Sequence, residues 1–60
     1  MMNNIDILLD SAFQDYNIGE YGKAEQKTRE ALMLSPTHGD ALYLLGLIAY
    51  KKGIWTQAII

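Results

Sequence analysis

The stretch GEYGKAEQKTREALMLSP, Gly19–Pro36, decides how this chain folds. Between residues 21 and 34, small and apolar residues recur at three- and four-residue steps, which predicts one amphipathic helix. Gly19 supplies the backbone freedom that a tight helix–helix turn requires. Ser35-Pro36 ends the helix, because proline cannot donate the next hydrogen bond and disfavours helical backbone just before it. The predicted inward side chains are Ala24, Thr28, Ala31, Leu32 and, at the end, Leu34.

Helices are predicted on both sides of this stretch. The first carries an apolar stripe made of Ile5, Leu8, Leu9, Ala12, Phe13 and Tyr16. A third helix is expected over residues 41–52, with Asp40 as its N-cap and Gly53 as its terminator, and Trp55 opens a fourth. Alternatively, residues 55–60 run on continuously from the third helix and swap into another copy. The connections, residues 18–20 and 35–39, are so short that neighbouring helices must lie antiparallel. The predicted fold class is all-α: antiparallel helix–turn–helix repeats, with three helices plus the start of a fourth.

The sequence repeats itself at an offset of 34 residues. The identical pairs are Asp6 with Asp40, Leu8 with Leu42, Tyr16 with Tyr50, Gly19 with Gly53 and Ala24 with Ala58. The repeat divides the chain into one unit over residues 5–38 and a partial unit over residues 39–60. Small residues stand where the helices of each pair are expected to touch: Ala12, Ala24, Gly46 and Ala58.

This pattern resembles the tetratricopeptide repeat, a 34-residue helix–turn–helix unit. In the first unit the resemblance rests on Leu8, Ala12, Tyr16, Gly19, Tyr21, Ala24, Ala31, Leu32 and Pro36. In the second it rests on Leu42, Leu45, Gly46, Tyr50, Gly53, Trp55 and Ala58. Asp15 stands where the family usually has an aromatic residue, and Thr28 stands where it prefers a larger side chain. Both departures suggest that the core of the first unit is less well filled.

The resemblance implies a protein–protein interaction scaffold. Repeats of this family stack into a right-handed superhelix, whose first helices line a concave groove that holds an extended peptide or a helix of a partner. Carried over position by position, the concave-face residues are Asp6, Leu9, Phe13, Tyr16, Asn17, Asp40, Tyr43, Leu47, Tyr50 and Lys51. Such a groove is apolar and aromatic with an acidic edge, so it suits an apolar or amphipathic segment of a partner protein.

Structural roles compete with binding at most of these positions. The alternatives are core positions for Tyr16 and Tyr50, packing between helices for Leu9, Phe13 and Leu47, a helix cap for Asp40 and simple solvation for Lys51.

The third helix predicts self-association. In a repeat array each helix pair buries its inner face only against neighbours. Here the fourth helix is expected to be only a stub, so the residues expected to self-associate are Leu42, Leu45, Ile48, Trp55, Ile59 and Ile60. We therefore expect an N-terminal fragment of a longer protein that forms a homo-oligomer when isolated. A structural self-assembly role, or an accessory role in a larger enzyme, is the alternative to peptide binding.

Composition and charge oppose several functional classes. Half of the residues are apolar, which is too many for a disordered segment, and the net charge of −2 offers no basic face for nucleic acid. The longest apolar run, Ala41–Tyr50, is half as long as a membrane span. The N-terminal MMNNIDILLD lacks the basic region of a signal peptide. We expect a cytoplasmic chain that binds neither nucleic acid nor membrane.

No catalytic constellation is predicted. Ser11 and Ser35 have no histidine placed to activate them, and His38, the only histidine, is expected in a solvated loop. Asp6 and Asp10 share a helix face, but without His or Cys partners they make a weak hard-metal site at best. Cysteine is absent, which removes disulfides and thiolate ligands. We expect no enzymatic activity, no metal and no cofactor.

Overall fold

Three α-helices make up the described fold. A computed structural model describes the backbone of residues 4–59 and the side chains of residues 4–53. The helices are α1 (Asn4–Asn17), α2 (Tyr21–Leu34) and α3 (Gly39–Ile59), and no strand occurs between residues 4 and 59. The all-α class predicted from the sequence is confirmed.

A glycine turn joins α1 to α2. Gly19 has φ 85°, a left-handed conformation that costs glycine nothing because it has no Cβ. The Gly19 N–H donates to the Tyr16 carbonyl at 3.2 Å, and the Glu20 N–H donates to the Asp15 carbonyl at 2.8 Å. These two bonds form a Schellman motif, which satisfies carbonyls that the helix end leaves open. The predicted turn at Gly19 is confirmed.

The second connection caps both of the helices that it joins. The Ser35 N–H donates to the Ala31 carbonyl at 2.9 Å, and α2 ends just before it, as predicted. The cap of α3 differs from the prediction. The Ala41 N–H donates to the imidazole Nδ1 of His38 at 3.4 Å, so His38 is the N-cap, and Asp40 lies inside the first turn. The helix begins two residues earlier than expected, and this shift moves the capping position from Asp40 to His38.

The predicted end of the third helix at Gly53 is wrong. Helix α3 runs without a break from Gly39 to Ile59, so the residues from Trp55 onward continue α3 and do not open a fourth helix. Glycine in a helix interior costs only about 1 kcal/mol relative to alanine, so it does not stop a helix by itself. A turn at this point would have to be compensated by packing of the next segment onto α3.

The core lies where α2 meets its two neighbours. Its buried residues are Leu9, Ala12, Ala24, Thr28, Ala31, Ala41, Leu44 and Ile48. Helix α2 packs against both α1 and α3, whereas α1 and α3 touch each other only slightly. Because α2 contributes only alanine and threonine to this core, the larger side chains of its neighbours can pack close to its backbone. The predicted close-packing role of Ala12 and Ala24 is confirmed, whereas Gly46 is exposed and Ala58 lies outside the described side chains.

Candidate functional site

The side of α3 that faces away from the core is apolar and open to solvent. Because Ala41, Leu44 and Ile48 point into the core, residues on the opposite side of the helix project outward. We call this surface the outer face of α3; its members, all exposed, are Leu42, Tyr43, Gly46, Ala49, Tyr50 and Gly53. Leu42 is 50% exposed, Tyr43 64% and Tyr50 66%. A helix that is apolar on every side is ordinarily covered on every side, so this face has the character of a contact surface.

The predicted concave-face residues on α1 are only partly accessible. Leu9 is buried in the core, so its predicted role as a groove contact is wrong; its side chain fills the space beside α2. Phe13 is half-buried and packs against the core. Tyr16 is also half-buried, and its ring meets that of Tyr21 edge-to-face with centroids 5.6 Å apart. Asn17 is exposed at the end of the helix, and Asp6 is half-buried near its start.

The predicted concave-face residues on α3 are more accessible than those on α1. Tyr43 and Tyr50 are exposed, and Leu47, which lies between them on the same side of the helix, is half-buried. Lys51 is half-buried, and Asp40 is exposed in the first turn. The spacing of four and then three residues places Tyr43, Leu47 and Tyr50 in one stripe. This aromatic stripe is the part of the predicted groove that can meet a partner directly.

The predicted self-association residues divide into three groups. Leu42 is exposed and Leu45 is half-buried, so both can contribute to a contact. Ile48 is fully buried, and its predicted role in self-association is wrong, because α3 turns this side chain toward α2. The side chains of Trp55 and Ile59, and all of Ile60, lie outside the described residues.

A polar cluster between α1 and α2 was missed by the sequence analysis. The ammonium of Lys27 lies 2.7 Å from Asp15 Oδ2 and donates to the Ser11 hydroxyl at 2.6 Å. Asp15 Oδ2 is buried and receives no hydrogen bond of regular geometry, so the lysine charge is its partner. An ammonium that donates to Ser11 has no lone pair with which to accept the proton of that hydroxyl. The cluster therefore fastens two helices together and does not activate a nucleophile.

The departure at Asp15 from the pattern that the sequence resembles was the available signal for this cluster. Asp15 stands where the resembled pattern usually has an aromatic residue, and it is one of the paired charges. Thr28, the other departure from the resembled pattern, is completely buried and donates its hydroxyl to the Ala24 carbonyl at 2.7 Å. Asp15 makes a polar contact between α1 and α2, whereas the hydroxyl of Thr28 bonds within α2.

A second charged group links α2 to α3. Glu25 Oε2 lies 2.7 Å from the ammonium of Lys52, and Glu25 Oε1 lies 3.1 Å from the guanidinium of Arg29. Hydrogen bonds from Lys52, and next from Arg29, lower the pKa of Glu25 below its usual value of 4.5. The group lies at the surface, so it aligns the helices without forming a pocket.

The described residues show neither a candidate metal site nor a candidate membrane-spanning helix. No group of three or more His, Cys, Asp or Glu side chains comes close enough there to hold a metal ion. Within the same residues, no helix combines the length and the apolar character that crossing a membrane would require.

Comparison with protein-family models, with curated proteins and with solved structures gave no match to this chain. The resemblance to tetratricopeptide repeats therefore stays a prediction from the sequence.

Proposed function

We propose that this chain is a protein-interaction module built from tetratricopeptide-like helix pairs, and that it binds an apolar or amphipathic segment of a partner protein. Two features support the proposal: a helix–turn–helix with its glycine turn at the position that the repeat requires, and an accessible aromatic surface on the helix after it. Aromatic side chains on a rigid helix bury a large area at little cost in conformational entropy, which suits them to recognition.

The observation that carries the proposal is the exposure of Tyr43 and Tyr50 on one stripe with Leu47. Two rings about two-thirds exposed, beside a half-buried leucine, form an apolar strip along α3. An apolar segment with side chains at helical spacing can lie along such a strip. Asp40, exposed in the first turn of α3, places a negative charge near one end of the strip and favours a segment with a basic residue there.

The test is selection of binding peptides from a random phage-displayed library, followed by affinity measurements on variants of this chain. The chain is kept at about 1 μM, a concentration too low for small, weak interfaces to form. Tyr43→Ala and Leu47→Asp are expected to weaken binding of the selected peptides at least tenfold with unchanged helicity. Met33→Ala is the matched control, because Met33 is a large apolar side chain on α2 that is even more exposed than Tyr43. If Met33→Ala weakens binding as much as Tyr43→Ala does, the strip on α3 is not the binding surface.

Phe13→Ala is a less informative variant than Tyr43→Ala. Phe13 packs against the core, so its truncation removes packing as well as contact area. Loss of binding by this variant would carry weight only if its unfolding midpoint stayed unchanged.

Self-assembly is the second function that an observation favours. The outer face of α3 carries no charged side chain, so nothing in it opposes the approach of an identical face.

A further inference from the structure

We propose that the outer face of α3 pairs two copies of this chain through an antiparallel helix–helix contact. The inference rests on the proposed function, protein interaction, and names one partner for it: a second copy. It concerns the line Leu42, Gly46, Ala49 and Gly53, which lies beside the stripe of Tyr43, Leu47 and Tyr50.

Charge and area both suit a second copy. Between residues 42 and 53 the only exposed charged side chain is Lys52, which reaches Glu25 on α2 and so lies away from the outer face. From the exposed fractions of Leu42, Tyr43 and Tyr50, the face offers roughly 400 Å² per copy, or about 800 Å² for a pair. Interfaces below about 1,200 Å² are weak and transient, so a dissociation constant of about 10–100 μM is expected.

The glycines of the outer face have no explanation within one copy. Gly46 and Gly53 have ordinary helical φ values, and a Cβ at either position would meet nothing within 4 Å. Alanine would favour the helix at both positions, because glycine loses more backbone entropy on folding. A second backbone can approach closely at this line, because neither glycine places a Cβ in its way.

The sizes along the line match in an antiparallel pair. Two antiparallel α3 helices can be aligned so that the centre of their contact falls between positions 47 and 48. In this register Leu42 lies opposite Gly53 of the second copy. Gly46 then lies opposite Ala49, so each larger side chain meets a smaller one. A parallel pair would instead place Leu42 against Leu42 at one end and leave a gap between two glycines at the other. The size pattern therefore selects the antiparallel arrangement.

Sedimentation equilibrium of the full chain from about 1 μM to about 500 μM tests the pairing, since this range brackets the expected dissociation constant. We expect a monomer at the low end and a dimer at the high end. Gly46→Leu is expected to weaken dimerisation at least tenfold, because its side chain separates the helices. Gly22→Leu is the matched control: Gly22 is an exposed helical glycine on α2 with the same open surroundings, and its substitution should leave dimerisation unchanged. Gly46→Ala, which favours the helix, replaces Gly46→Leu if circular dichroism shows that Gly46→Leu does not fold.

Cysteine cross-linking tests the arrangement, since the natural chain has no cysteine. An oxidised mixture of Leu42→Cys and Gly53→Cys chains should give mainly the mixed disulfide. Predominant pairing of Leu42→Cys with itself would overturn the antiparallel arrangement. A chain that stays monomeric at about 500 μM, or equal effects of Gly46→Leu and Gly22→Leu, would overturn the pairing itself. Peptide binding at about 1 μM would be untouched by that result, so failure of the pairing and failure of the proposed function are told apart.

Discussion

Removal of Lys27 should destabilise the chain far more than its partly exposed position suggests. Lys27→Met leaves the carboxylate of Asp15, whose side chain is only 15% exposed, without its cation at 2.7 Å. Exposed ion pairs are worth about 0.2–1 kcal/mol, whereas breaking a buried pair costs about 3–5 kcal/mol. This pair lies between the two limits, so we expect a loss of about 2 kcal/mol. With a urea dependence of about 1 kcal/mol per molar, the unfolding midpoint should fall by about 2 M.

The reciprocal and double variants make this reasoning refutable. Asp15→Leu should cost less, about 1 kcal/mol, because the longer Lys27 side chain is 34% exposed and can regain water. The double variant should lie within about 1 kcal/mol of the natural chain, since an apolar pair often replaces a buried ion pair without loss. Arg29→Met serves as the control at an exposed pair and should cost under about 0.5 kcal/mol. Urea unfolding followed by circular dichroism measures all four. If the two single losses simply add in the double variant, the cluster does not work as a pair.

Three further predictions concern the cap, the core and the surface charges. His38→Ala should cost about 1 kcal/mol of unfolding free energy, because it leaves the Ala41 N–H without its acceptor. His38→Asn should retain stability, and thermal unfolding measures both variants. Ile48→Ala should cost about 2–5 kcal/mol, whereas Leu42→Ala on the exposed side of the same helix should cost under about 1 kcal/mol in urea. Because ion pairing lowers the pKa of Glu25, its contribution is complete above the unfolded pKa and is lost as pH falls through the folded pKa. Glu25→Gln should therefore flatten the dependence of the urea midpoint on pH in the acid range, and an unchanged slope would contradict this assignment.

Local signals predicted the first two helices well. The apolar stripe of α1, the turn at Gly19 and the end of α2 before Ser35 all follow from residues close together in sequence. Gly53 shows the limit of this reasoning. It repeats the position of Gly19 in the 34-residue pattern, but the backbone stays helical there, because a glycine permits a turn without imposing one. Packing of the following segment decides between the two outcomes.

The candidate site was harder to predict than the fold. The resemblance to tetratricopeptide repeats proposed Tyr43 and Tyr50 as contacts, and the structure leaves both exposed. The same resemblance proposed Leu9 as a contact, and the expected uncovered face of the third helix proposed Ile48. Both are buried, because a stripe pattern does not say which of its edges meets the next helix. The contact between Asp15 and Lys27 depends on how two helices face each other, and one sequence does not contain that information.

The way α2 separates α1 from α3 has a consequence for how the chain folds. Each helix packs mainly on its neighbour in sequence, and the connections between them span only residues 18–20 and 35–38. Such local topology has a low contact order, for which folding times of microseconds to milliseconds are typical. Because α1 and α3 barely meet, each can dock on α2 independently of the other. A further helix could therefore pack on either side and leave the α1–α2 and α2–α3 contacts unchanged.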